Sequence, residues 1–108
     1  MLSGMINVNI LYPWRQGARF DFDYYLKKHM PMAGRLLGPA LLHMRIEKGI
    51  GGTEPGSPPA FTALCHLQFE SVDSFLAAFM PVAAQLQGDI PNYTDIVPQI
   101  QFSEVLLG

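Results

Sequence analysis

At 108 residues, 49% hydrophobic and only 15% charged, the chain suits a single domain, 1–108, with little polar material to cover the surface of a monomer. A net charge of −2 with scattered basic residues argues against nucleic acid or an anionic membrane as partner, and the sparse charge favours burial against a second copy in a homodimer. The lone Cys65 excludes an intrachain disulfide and fits a reducing compartment. Met1 to Met5 lack a leader pattern and no apolar run is long enough to span a bilayer, so a soluble cytoplasmic protein is expected.

The first predicted element is a strand from Ile6 to Tyr12, where Ile6, Val8, Ile10 and Tyr12 alternate with Asn7, Asn9 and Leu11. A loop through Pro13, Trp14 and Gly17 leads to a helix opened by Asp21. Phe22, Leu26 and Met30 form an apolar stripe, and Asp21, Tyr25 and His29 a second stripe of groups able to exchange protons. Pro31 removes the N–H that the carbonyl of Lys27 needs, which predicts a kink beside the imidazole. The helical pattern resumes through Ala33, Leu36 and Leu37 and stops at Gly38-Pro39.

Leu42 to Lys48 and Phe61 to Phe69 alternate as strands, separated by a Gly- and Pro-rich connection from Gly49 to Pro59 that is expected to be mobile. Ser71 caps a second helix with a stripe of Val72, Phe75, Leu76 and Phe79, interrupted at Pro81 and ended by Gly88. Gln99 to Leu106 is the last strand. Strand-helix-strand occurs twice, the βαββαβ order of a ferredoxin-like α+β fold with a four-stranded antiparallel sheet and two Pro-kinked helices on one face. Met30-Pro31 and Met80-Pro81 stand equally far before Gly38 and Gly88, and position 29 in the first half corresponds to Phe79 in the second. An apolar ring is therefore tolerated at that place in the scaffold. The uncovered sheet face should carry Asn7, Asn9, Leu11, His43, Arg45, Thr62, Leu64, His66, Gln68, Gln99 and Gln101, polar but weakly charged, and suited to meeting a second sheet in a dimeric barrel.

The run Phe20-Asp21-Phe22-Asp23-Tyr24-Tyr25 with His29-Met30-Pro31, followed by Gly88-Asp89-Ile90-Pro91-Asn92-Tyr93-Thr94, resembles the ethyl tert-butyl ether degradation (EthD) family from about Ile6 to Val105. The resemblance implies a dimeric α+β barrel, like antibiotic-biosynthesis monooxygenases and muconolactone isomerases. It also implies a part in oxidative breakdown of small organic molecules, with relatives that work without a cofactor. The family's His-Met-Pro histidine corresponds to His29, and its second motif to Asp89 through Tyr93. Fold transfers on such a likeness more securely than function.

His29 is the candidate acid or base, its ordinary pKa lying near 6.5. Tyr25 is a candidate to set its tautomer or to donate to an oxyanion, and Asp89 to assist. The competing role for His29 is to cap carbonyls freed at Pro31. Asp21, His66, Asn92, Tyr93 and Trp14 are candidate ligand contacts, against plainer roles as N-cap, polar strand residue, turn residues and loop packing. Cys65, on the core side of its strand, reads as an inert buried thiol. His29, His43 and His66 lack zinc spacing, and no phosphate loop or Gly-x-Ser-x-Gly elbow is present, so no metal, nucleotide or flavin is expected. The favoured reading is a cofactor-independent enzyme or an oxidoreductase-associated component acting on a small apolar carbonyl, lactone or phenol. One alternative is a non-catalytic ligand-binding dimer working beside an oxygenase system, and another is haem held by a histidine.

Overall fold

The computed structural model describes residues 4–108; the remainder of the Met1 to Met5 stretch read for a leader lies outside the described residues. Alternating side chains build four strands: β1 Ile6–Pro13, β2 His43–Lys48, β3 Phe61–Phe69 and β4 Gln99–Glu104. They form one antiparallel sheet in the order β2-β3-β1-β4. With the helices on one face, this is the ferredoxin-like α+β fold. Ile10 sits at the centre of the register, opposite Cys65 on β3 and Ile100 on β4. The inward row of Ile6, Val8, Tyr12, Ala63, Cys65, Leu67 and Phe69 is buried, as period-two alternation requires of a sheet covered on one face. Phe69, Phe75 and Phe79 continue that core as a run of ring contacts into the second helical arm.

The first helical arm comprises α1 Phe22–Tyr24, a π-helical turn Tyr25–His29 and α2 Met30–Leu37. Asp21 caps it, its carboxylate accepting the backbone N–H of Tyr24 at 3.0 Å. The helix runs on through Pro31, and the irregularity lies in the turn just before it. There the backbone N–H of Met30 donates to the carbonyl of Tyr25, five residues back. This wider turn alters the expected stripe. Leu26 is 51% exposed, whereas Tyr25, His29, Met30, Ala33 and Leu37 are buried. A strict four-residue spacing places Leu26 under Met30; the extra residue places Tyr25 there instead. The arm ends at Gly38, whose φ of 67° is a conformation that glycine adopts without the clash of a Cβ.

The second arm comprises α3 Val72–Phe79, a 3₁₀ turn Met80–Val82 and α4 Ala83–Asp89. Ser71 caps α3 by accepting the N–H of Ser74 at 3.0 Å. Gly88 lies inside α4 and does not end it; the chain passes directly into a 3₁₀ turn, Ile90–Asn92. That continuity brings Asp89 to the inner side of the arm. The Gly/Pro-rich connection is tied by Gly52 N–H to Ser57 C=O at 3.1 Å and Ser57 N–H to Glu54 C=O at 3.0 Å.

Candidate functional site

Between the two arms and the sheet lies an apolar cavity of about 300 Å³. That is near the lower bound of small-molecule sites. Val8, Ile10, Leu67, Phe75, Phe79 and Ile100 supply much of its wall, and His29, Tyr12, Tyr25, Tyr93, Cys65 and Gln87 its polar groups. Ile10 is in phase with the buried row yet only half-buried, because it faces this space rather than packed side chains.

The imidazole is held from several directions. Tyr25 stacks on it with ring centroids 5.7 Å apart and planes 14° apart, and Tyr93 lies across it at 4.6 Å. His29 Nδ1 is 2.9 Å from Asp89 Oδ2, with side chains only 9% and 15% exposed. The other carboxylate oxygen, Oδ1, accepts the Tyr24 hydroxyl at 2.6 Å and the Asn92 amide at 2.9 Å. Burial alone would raise the Asp89 pKa; hydrogen bonds from Tyr24, Asn92 and His29 outweigh it and hold the carboxyl below its usual range. The carboxylate in turn raises the Tyr24 pKa, chiefly by accepting its O–H. An ionised carboxylate can only accept, so Nδ1 carries the ring's hydrogen and the neutral ring keeps a lone pair on Nε2. Among the described residues Nε2 has no hydrogen-bond partner, and it belongs to a ring on the cavity wall.

The two sequence motifs meet through the backbone. Asp21 N–H donates to the Tyr93 carbonyl at 2.7 Å, Phe20 bridges to Thr94, and the Thr94 hydroxyl donates to the Arg19 carbonyl at 2.7 Å. These ties fix the end of the second arm against the start of the first, and thereby Asp89 against His29.

Of the expected site residues, His29, Asp89, Asn92 and Tyr93 come together. Tyr25 also lines the cavity, but Asp89, not Tyr25, makes the bond to the ring that sets the tautomer. Asp21 stands outside as a helix cap. Trp14, 42% exposed, borders a separate surface depression with Arg15 and Asp95. His66 is on the opposite sheet face, its Nδ1 2.6 Å from Asn9 Oδ1 and its Nε2 3.9 Å from Glu47. Tyr24 is the member that sequence reasoning passed over. Its signal was a phenol five residues before His29, a spacing that becomes one turn only when the helix widens ahead of a proline. Among the described residues no cluster of three His, Cys, Asp or Glu side chains is arranged to hold a metal, and no helix is long and apolar enough to cross a membrane.

A ferredoxin-like sheet with a histidine–carboxylate pair at the wall of an apolar cavity defines a class of small α+β proteins with a cavity between helices and sheet. Within that class, the EthD domain model matches residues 17–96, most of the chain, and the protein belongs to the EthD family. An EthD-like protein from Ralstonia eutropha JMP134 is 48% identical, with a TM-score of 0.94 over 97% of this chain and 95% of that one. An EthD family protein from Bacillus halodurans C-125 is 20% identical, with a TM-score of 0.72 over 94% of this chain and 99% of its own. A proposed antibiotic biosynthesis monooxygenase from Bordetella bronchiseptica shares the fold at 16% identity, with a TM-score of 0.63 over 96% and 99% of the two chains. Among curated proteins none matches this chain.

Proposed function

We propose that the cavity binds a small, mostly apolar molecule carrying an enolisable carbonyl, lactone or phenol, and that His29 takes a proton from it without a cofactor. The observation that carries this is the 2.9 Å contact between His29 Nδ1 and Asp89, which leaves Nε2 as the basic atom at the wall of an otherwise apolar space. For a ketone, Nε2 takes the α-hydrogen, the C–H electron pair moves into the carbon skeleton, and the carbonyl oxygen gains the negative charge. Return of the proton to the same or a neighbouring carbon completes exchange or isomerisation, with no net oxidation. Asp89 acts as a positioning residue that fixes the tautomer and stabilises the imidazolium as it forms. Tyr24 and Asn92 hold Asp89. Membership in the EthD family supports a place in small-molecule catabolism.

Deuterium uptake from D₂O into the methyl group of acetophenone, followed by proton NMR, tests the base. His29→Phe should slow it by about 10²- to 10⁴-fold. Equal uptake in the two proteins, or none above buffer in the parent, would refute the reading.

The same proposal includes a homodimer. Ile100, Phe102, Met80 and Leu76 are exposed on the helix-bearing side near the cavity, and the opposite sheet face is polar with few charges. Sedimentation at micromolar concentration should give twice the 12.0 kDa chain mass; a monomer would contradict it.

A further inference from the structure

The cavity holds a polar feature that the proton-transfer chemistry above does not use. Tyr12, from the C-terminal end of the inner strand β1, and Tyr93, from the segment after α4, place their hydroxyl oxygens 2.7 Å apart in a buried pair. Both residues line the cavity, and Tyr93 also lies against His29. Two hydroxyls joined by one hydrogen bond use one hydrogen and leave the other. Tyr25, whose ring is 6.0 Å from that of Tyr12, interacts with the Tyr12 hydroxyl from another side and with the Cys65 thiol. When Tyr25 donates to the Tyr12 oxygen, the three phenols share two links and one hydrogen is left over; when it donates to the Cys65 sulfur, a weak acceptor, all three hydrogens are placed.

Among the described residues, no carboxylate, backbone carbonyl or amide accepts from Tyr12 or Tyr93. An oxygen in the cavity is a stronger acceptor than the Cys65 thiol and draws a phenol hydrogen towards itself. We infer that the Tyr12–Tyr93 hydroxyl pair is the oxygen-binding subsite of the cavity, donating to a carbonyl, enolate or phenolate oxygen of a ligand whose acidic hydrogen faces His29. This rests on the reading of the cavity as a substrate site. It specifies a ligand with a hydrogen-bond acceptor at one end and an apolar body at the other, the body lying against Phe75, Phe79 and Leu67.

Burial suits the pair to this task. It pushes the Tyr12 phenol up to about 12, with hydrogen bonds from Tyr93 and Tyr25 pulling the other way, and it raises Tyr93 further. Both phenols stay protonated, and so remain donors, through the neutral range. A donor fixed in an apolar space stabilises a developing oxyanion more than one in water does.

The carbonyl stretch of acetophenone bound to the protein, read by infrared difference spectroscopy, tests the subsite separately from the base. In the parent the band should move to lower wavenumber than in hexane. The double variant Tyr12→Phe/Tyr93→Phe, in which the Tyr25 hydroxyl keeps the Cys65 thiol as a partner, should lose most of that shift while keeping a cooperative unfolding transition. His29→Phe should keep the shift while losing deuterium uptake. A bound band unshifted from hexane, a shift retained in the double variant, or no saturable binding by the parent would overturn the inference. A shift that needs the tyrosines, together with uptake independent of His29, would leave the subsite standing and remove the base.

Discussion

The two helical arms cross the same face of the sheet, and each carries a Met-Pro pair at its irregular point, yet they depart from regular geometry in opposite directions. The first widens: five residues span the turn before Pro31, and Met30 N–H reaches back to Tyr25. The second tightens: Ala83 N–H reaches only to Met80, three residues back. The wide turn buries His29 and Met30 in succession, while the tight turn leaves Met80 66% exposed. Proline removes one donor in both arms. The neighbouring backbone decides whether the turn opens or closes, and with it which side chain reaches the cavity. His29 from the first arm and Phe79 from the second both arrive at the cavity wall. Only the first is a base, and the second arm supplies its carboxylate from the far end, at Asp89.

This division of labour can be broken one piece at a time. The largest expected effect is that of Asp89→Asn. Its side-chain amide offers a hydrogen where Nδ1 now donates, so the ring flips tautomer and presents an N–H to the cavity. Deuterium uptake by acetophenone should fall by up to about 10⁴-fold with ligand binding kept, and undiminished uptake would separate the two arms functionally.

Tyr24→Phe is milder. Removing one of three donors to Asp89 should cost about tenfold in uptake, as for other supporting hydrogen bonds. It also has a pH signature. The Asp89 pKa is depressed in the folded protein, so its contribution to stability is present above the unfolded value near 3.9 and is lost as pH falls through the lower folded value. The variant relaxes that depression. Its urea midpoint should lie below the parent's at pH 7, and the gap should close as pH falls through the depressed Asp89 value. A gap that stayed constant with pH would show that Tyr24 acts by packing alone.

The smallest effect should follow Phe79→Leu, which changes cavity shape on the arm without the base. Unfolding free energy should drop by about 1–2 kcal/mol, and acetophenone affinity should shift while uptake at saturation stays within a few-fold. A loss as large as that of His29→Phe would mean that the second arm takes part in the proton transfer.

Much of the scaffold was legible because it depends on local pattern. β3 was read at its observed ends, since Phe61 to Phe69 alternates without interruption and a one-residue slip would turn its core row outward. The caps Asp21 and Ser71 were legible for the same local reason. The burial of Tyr25 in place of Leu26 was not, because it depends on a five-residue turn, and a period of 3.6 presumes that every turn is alike. The pairing of Asp89 with His29 was not legible because the two lie 60 residues apart, and it takes the ties of Arg19, Phe20 and Asp21 to Tyr93 and Thr94 to bring them into register. Tyr24 was hidden by its neighbour: of two adjacent phenols, helical spacing selected Tyr25, and the widened turn gave Asp89 the other.

Counted as chain length, the π-helical turn holds one residue more than an ordinary turn. A chain lacking Lys28 regains regular helical bonding across the first arm, and everything ahead of the deletion rotates by about 100° relative to α2. Such a chain gains backbone regularity, while Tyr24 and Tyr25 are carried away from Asp89 and the phenol pair. The length of this arm thus sets fold economy against the site, and a single surface lysine is the increment between them.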